Sequence, residues 1–253
     1  DQGNPAITLR GNTTITLSLH EPYVEAGFDA LDNVDGNITD SVVVIGAVDN
    51  NVIGIYTLNY TVVDAAGNHA LLKSRQVTVQ DAQAPVITVP NNIAVAATDA
   101  LGTSAKHQQI NAFLTTATVS DDVDDNLVIS HNAPPTFALG TTLVAFDATD
   151  SAGNIGTAQV IVTIVDDAAP VISLTGEAQQ TINLLDSYIE QGFSANDNVD
   201  GDISERVTVT GAVDNTVAGV YTISYDVHDI ANNAAITQSR QVTVQNLALV
   251  DSD

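Results

Sequence analysis

Residues 54–68 read GIYTLNYTVVDAAGN. From Tyr56 to Val62 large apolar side chains alternate with polar ones, which is the period of a β-strand with one buried face. The same alternation returns at residues 76–79 and 157–164, and no window keeps the 3.6-residue period over the length of a helix. Short strands separated by Asp-, Asn- and Gly-rich turns predict an all-β chain built from sandwiches of two sheets.

The chain contains long internal repeats. Residues 5–80 align with residues 170–245 without a gap, and more than half of the positions are identical. A more distant copy lies between them and carries an extra polar insertion around Gly102–Gln109. We therefore predict three tandem domains of about 80 residues each, rather than a solenoid. The expected boundaries are residues 1–80 (first repeat), 81–165 (second repeat) and 166–246 (third repeat), with residues 247–253 as a tail or linker.

The composition is strongly acidic and free of cysteine. The chain has 31 acidic residues against 6 basic ones, a formal charge of −25, and no Cys, Met or Trp. This charge argues against nucleic acid or anionic membranes as partners, because both attract Lys and Arg. Asp outnumbers Glu by 26 to 5, which favours turns and metal loops over helices; an acidic surface in a salt-adapted organism is the alternative explanation. Without disulfides, bound metal is the obvious staple for domains this small.

Three acidic signals recur in the same order in each repeat. They are an Asp four residues before a Pro, the motif D-x-V-D, and the motif D-x-A-[G/N]-N. Carboxylates brought together repel one another unless a hard cation lies among them, and oxygen-only ligand sets suit calcium (Ca2+). The candidate ligands are Asp1, Asp32, Asp35, Asp64 and Asn68 in the first repeat, Asp81, Asp121, Asp122, Asp124, Asp150 and Asn154 in the second, and Asp166, Asp167, Asp197, Asp200, Asp229 and Asn233 in the third. The alternative is that each motif is only a turn former.

The topology of a seven-stranded sandwich would bring the three signals together. In such a sandwich, with strands lettered A to G in chain order, the loops between B and C and between F and G lie at the end where the chain enters. If D-x-V-D lies in the first of these loops and D-x-A-[G/N]-N in the second, both motifs face the incoming linker and its Asp. The last loop has Gly67, Gly153 and Asn232 at equivalent positions. Gly and Asn tolerate positive φ best, so we expect the shape of this loop to be preserved in all three repeats.

The motifs also resemble known domain families. The runs P-x-I-T-L, D-N-V-D-G-x-I, G-x-Y-T-x-x-Y-x-V-x-D-x-A-G-N and Q-V-T-V of the first repeat resemble bacterial immunoglobulin-like domains first recognised in an insecticidal crystal toxin. The run Gly140–Asn154 is similar to the hyalin repeat. These resemblances imply immunoglobulin-like sandwiches that serve as spacers or adhesive units in secreted bacterial proteins. Gly54-x-Tyr56 and Gly219-x-Tyr221 resemble the tyrosine corner of such folds, with an ordinary core tyrosine as the alternative.

The expected function is structural rather than catalytic. The chain contains no H-E-x-x-H, G-x-S-x-G or phosphate-binding Gly-rich motif, and its five His residues do not recur at equivalent positions, so we expect them at the surface or at sheet edges. We predict a calcium-stabilised, extended rod of about 90–100 Å, acting as a spacer or stalk of a larger secreted or cell-surface bacterial protein without membrane insertion. Its partners would be neighbouring domains of the same polypeptide. The alternative is an adhesin module that binds surface glycans or proteins, although Tyr and Phe at strand positions should face the core.

Overall fold

A computed structural model describes residues 2–246. The candidate ligand Asp1 and the predicted tail at residues 247–253 lie outside the described residues. The chain is all-β apart from one short α-helix and two 3-10 turns at Thr39–Ser41 and Ser204–Arg206, within the described range. The predicted fold class, immunoglobulin-like all-β sandwiches, is confirmed.

The first and third repeats each contain seven strands in two sheets. In the first repeat they are β1 (Ala6–Leu9), β2 (Thr14–Ser18), β3 (Phe28–Asp32), β4 (Gly36–Asn37), β5 (Val43–Ile45), β6 (Gly54–Thr61) and β7 (Lys73–Gln80). In the third they are β16 (Val171–Leu174), β17 (Gln179–Asn183), β18 (Phe193–Asp197), β19 (Gly201–Asp202), β20 (Thr208–Thr210), β21 (Gly219–Asp226) and β22 (Gln238–Gln245). The sheet orders are β1-β3-β4 with β2-β7-β6-β5, and β16-β18-β19 with β17-β22-β21-β20.

Each four-stranded sheet contains one parallel pair. Strand β2 runs parallel to β7 with Thr14 opposite Gln76 and Ser18 opposite Gln80, and β17 runs parallel to β22 in the equivalent register. The long strands β6 and β7 are antiparallel, as are β21 and β22. The last strand of each of these two repeats therefore lies beside the second strand of the same repeat.

The second repeat has two long strands of 10 and 11 residues and several very short ones. They are β8 (Val86–Thr88), β9 (Ile93–Ala96), β10 (Thr103–Ser104), β11 (Thr118–Ser120), β12 (Ser130–His131), β13 (Thr136–Phe137), β14 (Gly140–Thr149) and β15 (Ile155–Val165). The main sheet has the order β12-β14-β15-β9, with β9 parallel to β15. The pairs β8–β11 and β10–β13 complete the repeat.

The polar insertion of the second repeat leads into a helix that the sequence pattern did not predict. Helix α1 (Gln108–Leu114) packs against β9 and buries Ile110, Phe113 and Leu114. The expectation of no helical segment was therefore wrong at this place. The reason is its length, because two turns contain only three apolar positions, spaced three and one residues apart, and these are too few to establish a period.

The chain divides into two compact units, and the second repeat contributes segments to both of them. The first unit runs to Ile87 and adds Val119–Ser130 and Asp147–Thr157, and the second contains Thr88–Thr118, His131–Phe146 and the chain from Ala158 onward. The first unit thus combines the first repeat with the linker and two acidic loops of the second repeat. The second unit combines the remaining part of the second repeat with the third repeat.

Alternating strand residues form the cores. In the first repeat Tyr60 packs with Ile7, Ala30, Leu58 and Val62. In the third repeat the core consists of Ile172, Ala195, Ile203, Ile223, Tyr225, Val227 and Val242. The 11 Tyr and Phe residues of the chain all lie in the described range, and each is buried or partly buried. This burial agrees with the expectation that most of them face the core.

The tyrosine corner is present in both close copies. The hydroxyl of Tyr56 donates to the carbonyl of Val52 at 2.8 Å, and the hydroxyl of Tyr221 donates to the carbonyl of Val217 at 2.9 Å. Each tyrosine stands near the start of the strand that follows the loop. It therefore ties that loop to the strand, as in immunoglobulin-like domains.

Candidate metal centres

The D-x-V-D motif forms a tight turn at the end of β3, β11 and β18 in the three repeats. The Oδ1 atom of Asp32, at the end of β3, accepts the backbone N–H groups of Val34 at 2.8 Å and Asp35 at 2.9 Å. Asp121 and Asp197 make the same pair of bonds in their repeats. One carboxylate oxygen is thus held by the backbone, and this fixes the direction of the other one.

The D-x-A-[G/N]-N motif forms the loop between the last two long strands of each repeat. The Oδ1 atom of Asp64 accepts the backbone N–H of Asn68 at 2.7 Å, and Oδ2 accepts its side-chain amide at 2.8 Å. The loops of Asp150 and Asp229 repeat both bonds. The φ angles are +89° at Gly67, +94° at Gly153 and +72° at Asn232. The prediction of one loop shape with positive φ is confirmed.

The two loops of each repeat are joined by their own side chains. In the first repeat Asp35 Oδ2 accepts the backbone N–H of Ala65 at 2.8 Å. In the third, Asp200 Oδ2 accepts the N–H of Ile230 at 2.6 Å. In the second, Asp124 Oδ2 accepts both the N–H of Ser151, at 3.0 Å, and its hydroxyl, at 2.9 Å. The last Asp of D-x-V-D therefore holds the second loop next to the first.

This arrangement brings most of the predicted ligands into compact carboxylate groups. Within each group, one oxygen per residue lies within 4.8 Å of the others. The groups are Asp32, Asp35 and Asp64 in the first repeat, Asp81, Asp124 and Asp150 together with Asp81, Asp121 and Asp122 in the second, and Asp166, Asp197 and Asp200 in the third. The linker residues Asp81 and Asp166 thus meet the turns of the repeats that they precede.

Some predicted ligands lie beside the groups rather than in them. Asp229 is 2% exposed and is bonded to Asn233, whose amide also donates to the backbone carbonyl of Asp166 at 3.2 Å. Asn68 and Asn154 are each bonded to the Asp that opens their loop. Asp167 is exposed and is not among the grouped carboxylates of the described chain. A ligand role for these residues stays a prediction.

Several of the grouped carboxylates have a buried oxygen without a hydrogen-bond donor. Among the described residues this holds for Oδ2 of Asp32, Asp81, Asp121 and Asp197. Asp32 and Asp81 are only 8% and 6% exposed. A buried oxygen without a donor costs free energy, and such groups in native proteins usually mark a missing partner. Oxygen-only groups of this size, whose members include unpartnered buried oxygens, fit a hard divalent cation.

The local environment pulls the pKa values of these carboxylates in both directions. Burial raises the pKa of Asp81, the backbone N–H of Gln83 opposes this, and the nearby carboxylates of Asp121 and Asp150 raise the pKa further. Burial and the carboxylate of Asp197 likewise raise the pKa of Asp166. The backbone N–H groups of Asp35 and Val34 lower the pKa of Asp32. The linker carboxylates of Asp81 and Asp166 are thus destabilised in their anionic form.

The third repeat contains a positive side chain at its acidic group. Arg206 Nη1 lies 3.6 Å from Asp200 Oδ2, and Nη2 donates to the backbone carbonyl of Asp229 at 3.1 Å. The equivalent residue in the first repeat is Ser41. Because the guanidinium already neutralises part of the charge, this group should attract a cation less strongly than the other two.

Sequence reasoning missed a second conserved feature of the two close copies, a buried ion pair. The side chains of Arg75 and Arg240 are fully buried and pair with Glu25 and Glu190, the latter at 2.9 Å. The sequence contained a signal for this pairing. The chain has only 6 basic residues and 5 Glu, and one Arg and one Glu recur at equivalent positions of the two close copies. Their separation of about 50 residues hid the pairing.

Tyrosine hydroxyls complete the network around each glutamate. Tyr23 donates to Glu25 at 2.6 Å, and Tyr60 donates to the same carboxylate. Burial would raise the pKa of Glu25, but the bonds from Tyr23 and Tyr60 and the charge of Arg75 lower it overall. Arg75 also donates to the backbone carbonyl of Arg10. The network fixes the segment before β3 to the last strand of the sandwich.

Comparison with known proteins identifies the family. The family described as bacterial surface protein, Ig-like domain, matches residues 7–79 and 172–244, which is more than half of the chain. The chain belongs to this family of bacterial surface immunoglobulin-like domains. A HYR domain matches residues 80–164, between the two immunoglobulin-like domains. This confirms the predicted order of two close copies around a hyalin-type repeat, and domains of both kinds are typically non-catalytic.

Curated relatives of these immunoglobulin-like domains are distant and longer. They include hyalin from Lytechinus variegatus, 28% identical over 72% of this chain and 35% of the relative. An uncharacterised 81.3 kDa protein of Acholeplasma phage L2 is 28% identical over 81% of this chain and 28% of the relative. Hyalin from Strongylocentrotus purpuratus is 29% identical over 77% of this chain and 16% of the relative. The chain thus spans between about one sixth and one third of these relatives.

The comparison with solved structures found matches that share little sequence with the chain. The fragment EC22-24 of mouse cadherin-23 is 13% identical, with 97% of this chain and 100% of that chain covered and a TM-score of 0.35. A lipoprotein from Bacteroides thetaiotaomicron is 16% identical, with 93% and 98% covered and a TM-score of 0.30. None of the helices in the described residues has the length and hydropathy of a membrane span.

Proposed function

We propose that this segment is a calcium-stabilised, non-catalytic spacer or stalk within a larger secreted or cell-surface bacterial protein. One observation carries the proposal: each repeat has a compact group of carboxylates that includes its D-x-V-D motif, and each group includes a buried oxygen that lacks a donor. Bound calcium would supply the missing partner for these oxygens and relieve the repulsion between the carboxylates. Membership of a bacterial surface family supports the location outside the cell.

The position of the linker aspartates supports a role in ordering successive domains. Asp81 and Asp166 belong to the linkers by sequence, but their carboxylates lie among those of the following repeat. A cation bound there would hold the linker to the D-x-V-D turn of that repeat and, at Asp81, also to the loop of Asp150. Without the cation, the raised pKa values of Asp81 and Asp166 show that the anions are destabilised by burial and by their neighbours. Calcium would thus stiffen the segment as well as stabilise it.

A calcium-dependent melting experiment tests the proposal. The ion binds the assembled loops but not the scattered carboxylates of the unfolded chain, so one site adds about 2.7 kcal/mol at a hundredfold excess over its dissociation constant. We expect the melting temperature of the 253-residue chain to rise with calcium and to fall again with chelator. Magnesium at the same ionic strength serves as the control. A melting curve that responds to neither calcium nor chelator would leave adaptation to salt as the explanation of the acidic composition.

The alternative, an adhesin module that binds glycans or proteins, draws on the family and on the hyalin relatives. Sugar rings usually stack on exposed aromatic side chains. Every Tyr and Phe of this chain is at least partly buried, and this favours the spacer over a glycan-binding role. A glycan array probed with the calcium-loaded chain distinguishes the two, since a specific signal that survives mutation of the acidic groups would favour the adhesin.

A further inference from the structure

The acidic cluster of the second repeat differs from the other two in its size. It contains five carboxylates, which divide into two groups of three that share Asp81. Asp124 and Asp150 complete one group, and Asp121 and Asp122 complete the other. Two oxygens bound to one calcium ion can be at most about 5.2 Å apart, because each lies about 2.3–2.6 Å from the ion. The oxygens within each group lie within 4.8 Å of one another, so each group is compact enough to hold one ion.

The extra group depends on a residue that only the second repeat has. The middle position of D-x-V-D is Asp122 there, but Asn33 in the first repeat and Asn198 in the third. In the third repeat the amide of Asn198 donates to the backbone carbonyl of Ala97 at 3.0 Å. Asp122 is exposed, and as a carboxylate it cannot donate such a bond.

Unpartnered oxygens lie in the second group. Asp81 is 94% buried, its Oδ1 accepts the N–H of Gln83 at 3.0 Å, and its Oδ2 has no donor among the described residues. Asp121 has the same arrangement, with Oδ1 bonded to the backbone and Oδ2 without a donor. The four ion pairs of the described chain all involve other residues. Two oxygens of the second group thus lack any positive or donating partner.

We propose that the second repeat binds two divalent cations, one in each group, with Asp81 bridging them. The inference rests on the proposed function, because it assumes that the acidic clusters bind calcium. A bridging carboxylate uses one oxygen for each ion, and the second ion offsets the repulsion that five carboxylates would exert around a single one. The first and third repeats, with Asn at the middle position, lack the second centre.

The substitution Asp122→Asn tests the proposal, because it installs the residue that the other two repeats have. The matched control is Asp125→Asn, which removes the same charge from an exposed position of the same segment that belongs to neither group. Calcium bound by the full chain is counted by native mass spectrometry and by titration calorimetry after chelator treatment. We expect Asp122→Asn to bind one ion fewer than the unmodified chain and Asp125→Asn to bind the same number.

The outcomes separate the two proposals. If the unmodified chain and Asp122→Asn bind the same number of calcium ions, the second centre is refuted while the proposed function stands. If the unmodified chain binds no calcium at all, the proposed function fails and the second centre fails with it. Crystals soaked with a lanthanide provide an independent count, since two adjacent anomalous peaks at Asp81 support the proposal and one peak refutes it.

Discussion

The buried ion pair predicts an asymmetry between its two members. The side chain of Arg75 is fully buried, whereas that of Glu25 is 31% exposed. Glu25→Gln keeps the shape of the glutamate but leaves the guanidinium charge buried among neutral groups, chiefly the carbonyl of Arg10 and the ring of Tyr60 at 5.8 Å. Leaving one buried charge without its partner costs about 3–5 kcal/mol.

Removing the other member of the ion pair, in Arg75→Met, should cost less free energy of unfolding. In Arg75→Met the glutamate keeps the hydroxyls of Tyr23 and Tyr60 and the backbone N–H of Gly27, which lies 2.9 Å away. Water can reach its exposed part and replace the lost cation. We expect a loss of about 1–2 kcal/mol, close to the cost of unmade hydrogen bonds.

Native-state hydrogen exchange measures both costs where they arise. At about 1.4 kcal/mol per factor of ten, amides of strand β6 should exchange about 140- to 3,700-fold faster in Glu25→Gln and about 5- to 30-fold faster in Arg75→Met. Strand β21 of the third repeat serves as the internal control, and Glu190→Gln should shift the effect to β21. If Arg75→Met accelerates exchange as much as Glu25→Gln, the charge left behind is not what destabilises the protein.

Two further predictions concern the second repeat. Asp150→Ala should weaken calcium binding more than Asp99→Ala, because Asp150 belongs to a carboxylate group and Asp99 only forms a turn with Leu101. Titration calorimetry measures both affinities. Equal affinities would show that the recurring Asp is only a turn former. Gly156→Ala should lower the free energy of unfolding by at least about 1–3 kcal/mol, because its Cβ would lie 1.8 Å from the carbonyl oxygen of Pro85. Gly54→Ala is the control in denaturant titrations, since its Cβ would make only ordinary contacts with a tyrosine ring, and a comparable loss there would point to a general intolerance of strand Gly→Ala changes.

The sequence predicted the parts of the fold that depend on local pattern. Alternation from Tyr56 to Val62 corresponds to β6, and the repeated Asp motifs became the loops that meet at the acidic groups. Positive φ at Gly67 and Asn232 followed from residue type alone. These features were predictable because each is determined by residues that are close together in the chain.

Features that depend on distant or very short segments were not predictable. Arg75 and Glu25 lie on separate elements, and only the fold brings them together. Helix α1 spans 7 residues, so its stability comes from the burial of Phe113 and its apolar neighbours rather than from a visible period. The doublet Asp166-Asp167 was ambiguous for a similar reason, because only the path of the linker decides which carboxylate turns toward the loops.

The parallel pairing of β2 with β7 has a mechanical consequence. Tension applied to the two ends of the first repeat would pull β2 toward its N-terminal end and β7 toward its C-terminal end, along the length of both strands. The five residue pairs of this register would then be loaded in shear, so that their hydrogen bonds must give way together instead of opening one after another. The same holds for the five pairs of β17 with β22. The first and third repeats would therefore resist stretching between their own ends with all five pairs of their parallel strands at once.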